Sequence, residues 1–180
     1  MIKPLLLGAI VLLVTSACTQ GSSTKPGKDP SAQTMTDSST HHRYYSRSDT
    51  TKLELPESTW QEILDPQLFE IARHAATERA FTGKYWDYEG LGSYYCAACG
   101  NHLFRSDSKF SSGCGWPSFF QTIRKDAVQY KLDRSHGMVR TEVLCGRCDA
   151  HLGHVFDDGP PPTGRRYCMN SISLEFEADK

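Results

Sequence analysis

Four of the seven cysteines fall into two matched pairs, Cys96-Ala97-Ala98-Cys99-Gly100 and Cys145-Gly146-Arg147-Cys148. Two Cys-x-x-Cys turns from separate hairpins are a common donor set for a tetrahedral structural zinc ion. Each pair here follows a strand-like segment and sits among small residues, as such turns require. Two disulfides are the competing reading, and an exported protein would permit them. A redox Cys-x-x-Cys, by contrast, is expected once and at the head of a helix. A third reading makes His151 or His154 a ligand, although four thiolates already complete a tetrahedral shell. Structural zinc contributes on the order of 10–16 kcal/mol of binding free energy, comparable with the whole net stability of a domain.

Cys18, Cys114 and Cys168 remain. Cys168 lies in Arg165-Arg166-Tyr167-Cys168-Met169-Asn170, and cationic neighbours lower a thiol's pKa and raise its thiolate fraction. Cys114 lies in Ser111-Ser112-Gly113-Cys114-Gly115-Trp116-Pro117-Ser118-Phe119, where flanking glycines suit a thiol that must travel to meet another. A buried structural Cys168, or a static Cys114–Cys168 disulfide, accounts for the same residues. Trp116 is either a core anchor or the wall of a pocket for a methyl or thioether group, since sulfur packs well on aromatic rings. In His151-Leu152-Gly153-His154-Val155-Phe156-Asp157-Asp158, two histidines followed by carboxylates can hold protons near neutral pH.

The elements that must position these groups can be read from the pattern. The chain has 180 residues, 38% of them apolar, with 20 Lys+Arg against 21 Asp+Glu. That is room for one domain and an appendage. With no long basic run, nothing draws it to nucleic acid. Met1–Lys3 is a short basic start and Pro4–Val14 an apolar run of signal-peptide length, too short to span a bilayer comfortably. Thr15-Ser16-Ala17-Cys18 resembles the lipobox of bacterial lipoproteins, apart from Thr15 where Leu is usual. The expectation is a signal peptide over 1–17, lipidation at Cys18, and export as a membrane-anchored lipoprotein of a bacterial envelope. Residues 18–52 are rich in Ser, Thr, Lys, Pro and Gly and read as a flexible tether, with no role for His41 or His42. The folded domain is placed at 53–180.

Within that domain Ser58 is a plausible N-cap for a short helix. After Pro66 the spacing of Leu68, Ile71 and Ala75 predicts a second helix to about Ala80, stopped at Thr82-Gly83. From Tyr94 onward the pattern is strands separated by Gly, Ser and Asp turns: Tyr94-Tyr95, His102–Phe104, Val128–Leu132 and Met138–Val143. The last has Ile172, Leu174 and Phe176 alternating with Ser173, Glu175 and Glu177, a half-buried strand. The fold class is therefore mainly β and antiparallel, with short N-terminal helices and a four-cysteine zinc site.

From about Trp60 to Phe176 the sequence resembles the B-type methionine sulfoxide reductases. The likeness rests on Ser112-Gly113-Cys114-Gly115-Trp116-Pro117-Ser118-Phe119, His151-Leu152-Gly153-His154-Val155-Phe156, Arg166-Tyr167-Cys168-Met169-Asn170-Ser171 and both cysteine pairs. The resemblance implies an arrangement as two antiparallel sheets, and reduction of the R epimer of methionine sulfoxide in peptides and proteins. It makes Cys168 the nucleophile, forming a sulfenic acid, and Cys114 the resolving thiol that closes a disulfide reduced by a thioredoxin-like dithiol. It places His151 and His154 to protonate the sulfoxide oxygen, and Trp116 and Phe156 around the methyl group. Asp158, Arg166 and Asn170 orient the polar side, one zinc ion is structural, and monomer is the default state. Two rivals of other classes are a zinc-stapled binding module with a fixed disulfide and a protein thiol–disulfide exchange enzyme.

Overall fold

The structure is a computed structural model that describes residues 41–180; the expected signal peptide, Cys18 and the tether as far as residue 40 lie outside the described residues. Two antiparallel sheets carry the architecture, as the resemblance implies. The smaller has the order β2-β1-β9, from β1 (Gly92–Cys96), β2 (His102–Arg105) and β9 (Leu174–Ala178). The larger has the order β3-β4-β8-β7-β6-β5, from β3 (Lys109–Phe110), β4 (Ser118–Phe119), β5 (Val128–Asp133), β6 (Arg140–Cys145), β7 (His151–Phe156) and β8 (Arg166–Met169). Two predicted strands start late. Met138 follows a 3-10 turn at Ser135–Gly137, so β6 begins at Arg140, and Ile172 lies in a 3-10 turn at Ser171–Ser173 ahead of β9.

Strand alternation sorts residues between a core face and an outer face. In the small sheet Phe104, Tyr94 and Phe176 share one cross-strand row, and in the large sheet Phe119 and Tyr167 share another. The two rows meet: Phe104 stacks on Phe119 with centroids 4.3 Å apart, and Tyr94 meets Phe119 edge-on at 5.0 Å. Such aromatic pairs add about 0.5–1.5 kcal/mol each beyond the area they bury. Trp60, Leu103, Leu152 and Met169 complete a core that is almost wholly withdrawn from solvent.

The helices are shorter than predicted. α1 (Glu57–Ile63) has Pro56 at its N-cap position in place of Ser58. α2 (Pro66–His74) starts with Pro66 in its first turn, and the Asp65 carboxylate accepts from the Gln67 N–H at 2.9 Å, a strong start signal. It ends at Ala75, which is left-handed with φ 54°, and not near Ala80. The chain beyond is claimed by tertiary partners: the Glu78 N–H donates to Asn170 Oδ1 at 3.0 Å, and the Glu78 carboxylate accepts from the N–H groups of Ser171 and Ile172.

A further correction concerns residues 41–52, which composition assigns to the tether. They form a strap packed on the domain. The Ser46 N–H donates to the Cys99 carbonyl at 3.0 Å, and Leu53 N–H to the Arg147 carbonyl at 2.8 Å. Arg147, only 4% exposed, donates to the carbonyls of Cys99 (2.7 Å) and Tyr44 (3.1 Å) and to Asp49 (2.9 Å). Tyr45 donates to Glu175, Arg47 pairs with Glu175 and lies over the Tyr95 ring, and His42 Nε2 is 2.9 Å from the Ala98 carbonyl. Composition misses this because the anchoring is by Tyr, His and Arg side chains with fixed polar partners, not by an apolar stripe. Replacing Arg147 with Ala strands buried carbonyls, and is expected to cost about 1–3 kcal/mol in urea unfolding. It should also speed hydrogen exchange at Ser46 and Leu53 relative to the β6–β7 amides; equal protection in both proteins would show that Arg147 does not hold the strap.

Candidate active site and metal centre

The residues singled out for chemistry lie on the outer face of the large sheet. Register makes the reason explicit: Ser118 pairs with Cys168, Cys168 with His154, His154 with Glu142, and Glu142 with Lys131. This is one row running across β4, β8, β7, β6 and β5. A second row on the same face holds Arg166 beside Phe156, and the neighbouring pair Arg140 and Asp133 lies at the far end. Each strand thus sends one residue into the aromatic core and the next toward the reactive row, as with Tyr167 and Cys168.

Cys114 reaches this face from the loop before β4. The Met169 N–H donates to the Pro117 carbonyl at 3.0 Å, which ties the loop to β8. Gly115 has φ 91°, and a Cβ there would lie 2.9 Å from the Ala80 Cβ and the Phe81 nitrogen, so only glycine fits. The outcome is a Cys114–Cys168 sulfur separation of 3.3 Å. That is hydrogen-bond contact, far from the roughly 2.05 Å of a disulfide. Both thiols are partly exposed and free in this structure.

The cationic neighbour expected to lower the Cys168 thiol does so, through Arg166, but it is outweighed. Burial pushes that thiol up to about 12, the Cys114 sulfur adds to the rise, and Arg166 only opposes it. Arg166 is committed to a two-point pair with Asp158, both contacts 2.8 Å, above the Phe156 ring. Arg165 points to the other face, toward Tyr130 and Tyr167. For Cys114 burial also works upward, but hydrogen bonds from Ser112, Ser118, the Trp116 backbone and Cys168 outweigh it and bring the thiol down to about 7. The two thiols are thus shifted in opposite directions.

A cavity of about 100 Å³ opens over Cys168, walled by Trp116, Phe156, Met169 and Thr77, with His154 and Arg140 supplying polar edges. It suits a small apolar terminus with one polar atom. The Trp116 ring is fixed by its Nε1–H donating to the Glu78 carbonyl at 3.1 Å. The two predicted histidines separate in role. His154 lines the cavity, and its Nε2 is 2.9 Å from Asp133 Oδ2, a carboxylate also held by Arg140 at 2.6 Å. His151 is buried behind it, Nδ1 2.7 Å from Glu142 Oε1, and burial pushes its pKa down while Glu142 resists. Residues three apart on a regular strand face opposite ways. A bulge in β7, opposite Val143/Leu144, brings the two rings to 5.5 Å. Asn170 also lines the cavity, its side chain anchored by Oδ1 accepting from the Glu78 N–H and Nδ2 donating to the Leu152 carbonyl. Sequence reasoning misses Asp133, Arg140 and Glu142, whose only signal is membership of strands whose pairing cannot be read.

The four paired cysteines converge at the ends of β1 and β6. The Cys96–Cys148 sulfurs are 3.8 Å apart and the Cys99–Cys145 sulfurs 3.6 Å, with all four within 4.8 Å of one another and buried. Metal–sulfur bonds of about 2.3 Å in a tetrahedron put sulfurs about 3.8 Å apart; disulfides would not. The two turns share one geometry: the residue after each pair, Gly100 or Asp149, has positive φ and donates its N–H to the carbonyl of the first cysteine. Asn101 Nδ2 donates to the Cys145 sulfur at 3.4 Å. Neither His151 nor His154 joins the cluster.

Residues 64–178 match the family model described as SelR domain. The chain is 55% identical over 129 residues to the peptide methionine sulfoxide reductase MsrB of Herminiimonas arsenicoxydans, covering 72% of this chain and 94% of that protein. It is 57% identical over 129 residues to the protein of that name from Methylibium petroleiphilum, with the same coverage. The Thiobacillus denitrificans protein of that name is 58% identical over 120 residues, covering 67% of this chain and 91% of that protein.

If the cluster holds a metal, Cys99→Ser should lower the metal bound per chain from about one to near zero and cost more than about 4 kcal/mol of stability. Elemental analysis and unfolding on the same sample would check this; unchanged metal content and stability would refute the site.

Proposed function

The chain belongs to the SelR-domain family of peptide methionine sulfoxide reductases, and on that footing we propose that it reduces methionine sulfoxide in peptides, selecting the R epimer, with Cys168 as nucleophile. The observation that carries the reading is the Cys114–Cys168 sulfur contact of 3.3 Å beneath an aromatic-walled cavity that His154 also lines. The methyl end of the substrate packs on Trp116 and Phe156. Its oxygen faces His154, whose Nε2 is held by Asp133 and whose Nδ1 is the nitrogen left to exchange a proton.

The Cys168 sulfur bonds to the sulfoxide sulfur as the His154 imidazolium gives its proton to the oxygen, and the proton lost by Cys168 returns to the imidazole. Oxygen passes to Cys168 as a sulfenic acid and methionine leaves. Cys114 then attacks the sulfenic sulfur, forming the disulfide and water. A thioredoxin-like dithiol reduces that disulfide by exchange and is itself oxidised. Arg166, fixed by Asp158, is the cation nearest the pair and favours the charged sulfur. His151 acts through the buried Glu142 pair behind His154.

The metal of the four-cysteine cluster is zinc in this reading, held by Cys96, Cys99, Cys145 and Cys148, and it supplies structural cross-linking alone because no ligand position is left for substrate. The leader and Cys18 support a lipid-anchored monomer acting on oxidised proteins of the bacterial envelope, with its dithiol donor on the same side of the membrane.

Separate R and S sulfoxide peptides test the proposal: turnover with the R epimer only is expected, and equal rates or no rate would reject it. Cys168→Ser should abolish turnover with any reductant. Cys114→Ser should release one methionine per chain and leave a sulfenic acid that dimedone captures; full thioredoxin-dependent cycling would remove Cys114 from the resolving role.

A further inference from the structure

The loop that delivers Cys114 also delivers two hydroxyls. Ser112 Oγ lies 3.0 Å from the Cys114 sulfur and 2.7 Å from Ser118 Oγ, which is itself 3.5 Å from that sulfur. The Cys114 N–H turns back onto Ser112 Oγ at 3.4 Å. Ser118 is not free to drift, because it lies in β4 directly opposite Cys168. The two hydroxyls are therefore hydrogen-bonded to each other, with Ser112 donating to the sulfur and Ser118 also within reach of the Trp116 carbonyl at 3.3 Å, anchored in the sheet that carries the partner cysteine. The Trp116 carbonyl, 3.5 Å from the sulfur, is the acceptor open to the protonated thiol. The charged or titratable groups facing Cys114 from the packed elements are Cys168 and Arg166 on β8.

We propose that Ser112 is a positioning residue for the resolving step: its hydroxyl, held by Ser118, keeps Cys114 as a thiolate pointed at the Cys168 sulfur. The inference rests on the reading of Cys114 as the resolving thiol and names the group that readies it. In the step, a lone pair on Cys114 forms the S–S bond as the S–O bond of the Cys168 sulfenic acid breaks. The departing hydroxide takes a proton from water-borne acid, Cys114 is oxidised and the sulfenic sulfur reduced. Hydrogen bonds to charged acceptors are the strong ones. An attacking thiol works best with a pKa near ambient pH, which is where the pair of hydroxyls brings Cys114.

Two measurements test this. In a Cys168→Ser background, the pH midpoint of Cys114 alkylation by iodoacetamide should rise by about one to two units on Ser112→Ala and return on Ser112→Thr. With Cys168 present, rapid quench at pH 7 with one equivalent of R-sulfoxide peptide should show methionine release unchanged in Ser112→Ala. Loss of the second thiol should lag by about three- to tenfold, leaving a dimedone-reactive Cys168 absent from the parent. An unmoved alkylation midpoint in a folded Ser112→Ala protein, or disulfide formation that keeps pace with methionine release, overturns the inference. Should Ser112→Ala lose its melting transition, Ser118→Ala removes only the supporting hydroxyl and must shift the midpoint the same way, or the inference fails. If the parent releases no methionine, the reductase reading is at fault, and the alkylation midpoint still reports on Ser112 by itself.

Discussion

The convergence of four sulfurs is the constraint on which the rest of the molecule leans. Cys96 ends β1 in the small sheet and Cys145 ends β6 in the large one, so the cluster joins the two sheets at one point. The second turn leads into β7 within three residues of Cys148. The start of β7, and with it the placement of His151 and His154, is thus set by the cluster. The strap adds to the same point from outside: its backbone bonds to Cys99 and Arg147, residues of the two cysteine turns. A small β domain has little core to spare for fixing sheet on sheet, and a closed thiolate shell does this without needing more apolar area.

With the sheets so fixed, alternation along each strand divides labour. Phe119, Tyr167 and Phe104 fill the space between the sheets, while Ser118, Cys168, His154 and Glu142 lie in file on the reverse side. The Cys168 sulfur is backed by the aromatic layer and faces the loop that carries Cys114. This explains the unequal thiols. Cys168 is sunk in the sheet, where burial disfavours its charge; Cys114 sits among hydroxyls that favour it.

Local motifs are legible from the chain and long-range pairing is not. Each Cys-x-x-Cys turn, the glycine-flanked Cys114 and the alternation of Leu174 and Phe176 depend on a few neighbouring residues, and the fold class follows from them. Asp133, Arg140 and Glu142 serve the site only because β5 and β6 lie beside β7 in a given register, which no local pattern specifies. Periodicity misplaces the end of α2 because Asn170, far along the chain, claims Glu78. Nor does the chain reveal that Arg165 faces away from Cys168 or that burial there outweighs Arg166.

The extra residue in β7 has a consequence for anyone wishing to transplant this chemistry. Copying the two histidines onto a regular strand of another scaffold would send one of them to the wrong side. The graft must carry the irregularity itself, including Gly153, where any side chain would meet the Cys168 carbonyl at 2.1 Å. A one-residue deletion there would leave the composition of the motif almost intact and yet take apart the proton relay. Inheritance of this site is therefore inheritance of a backbone defect.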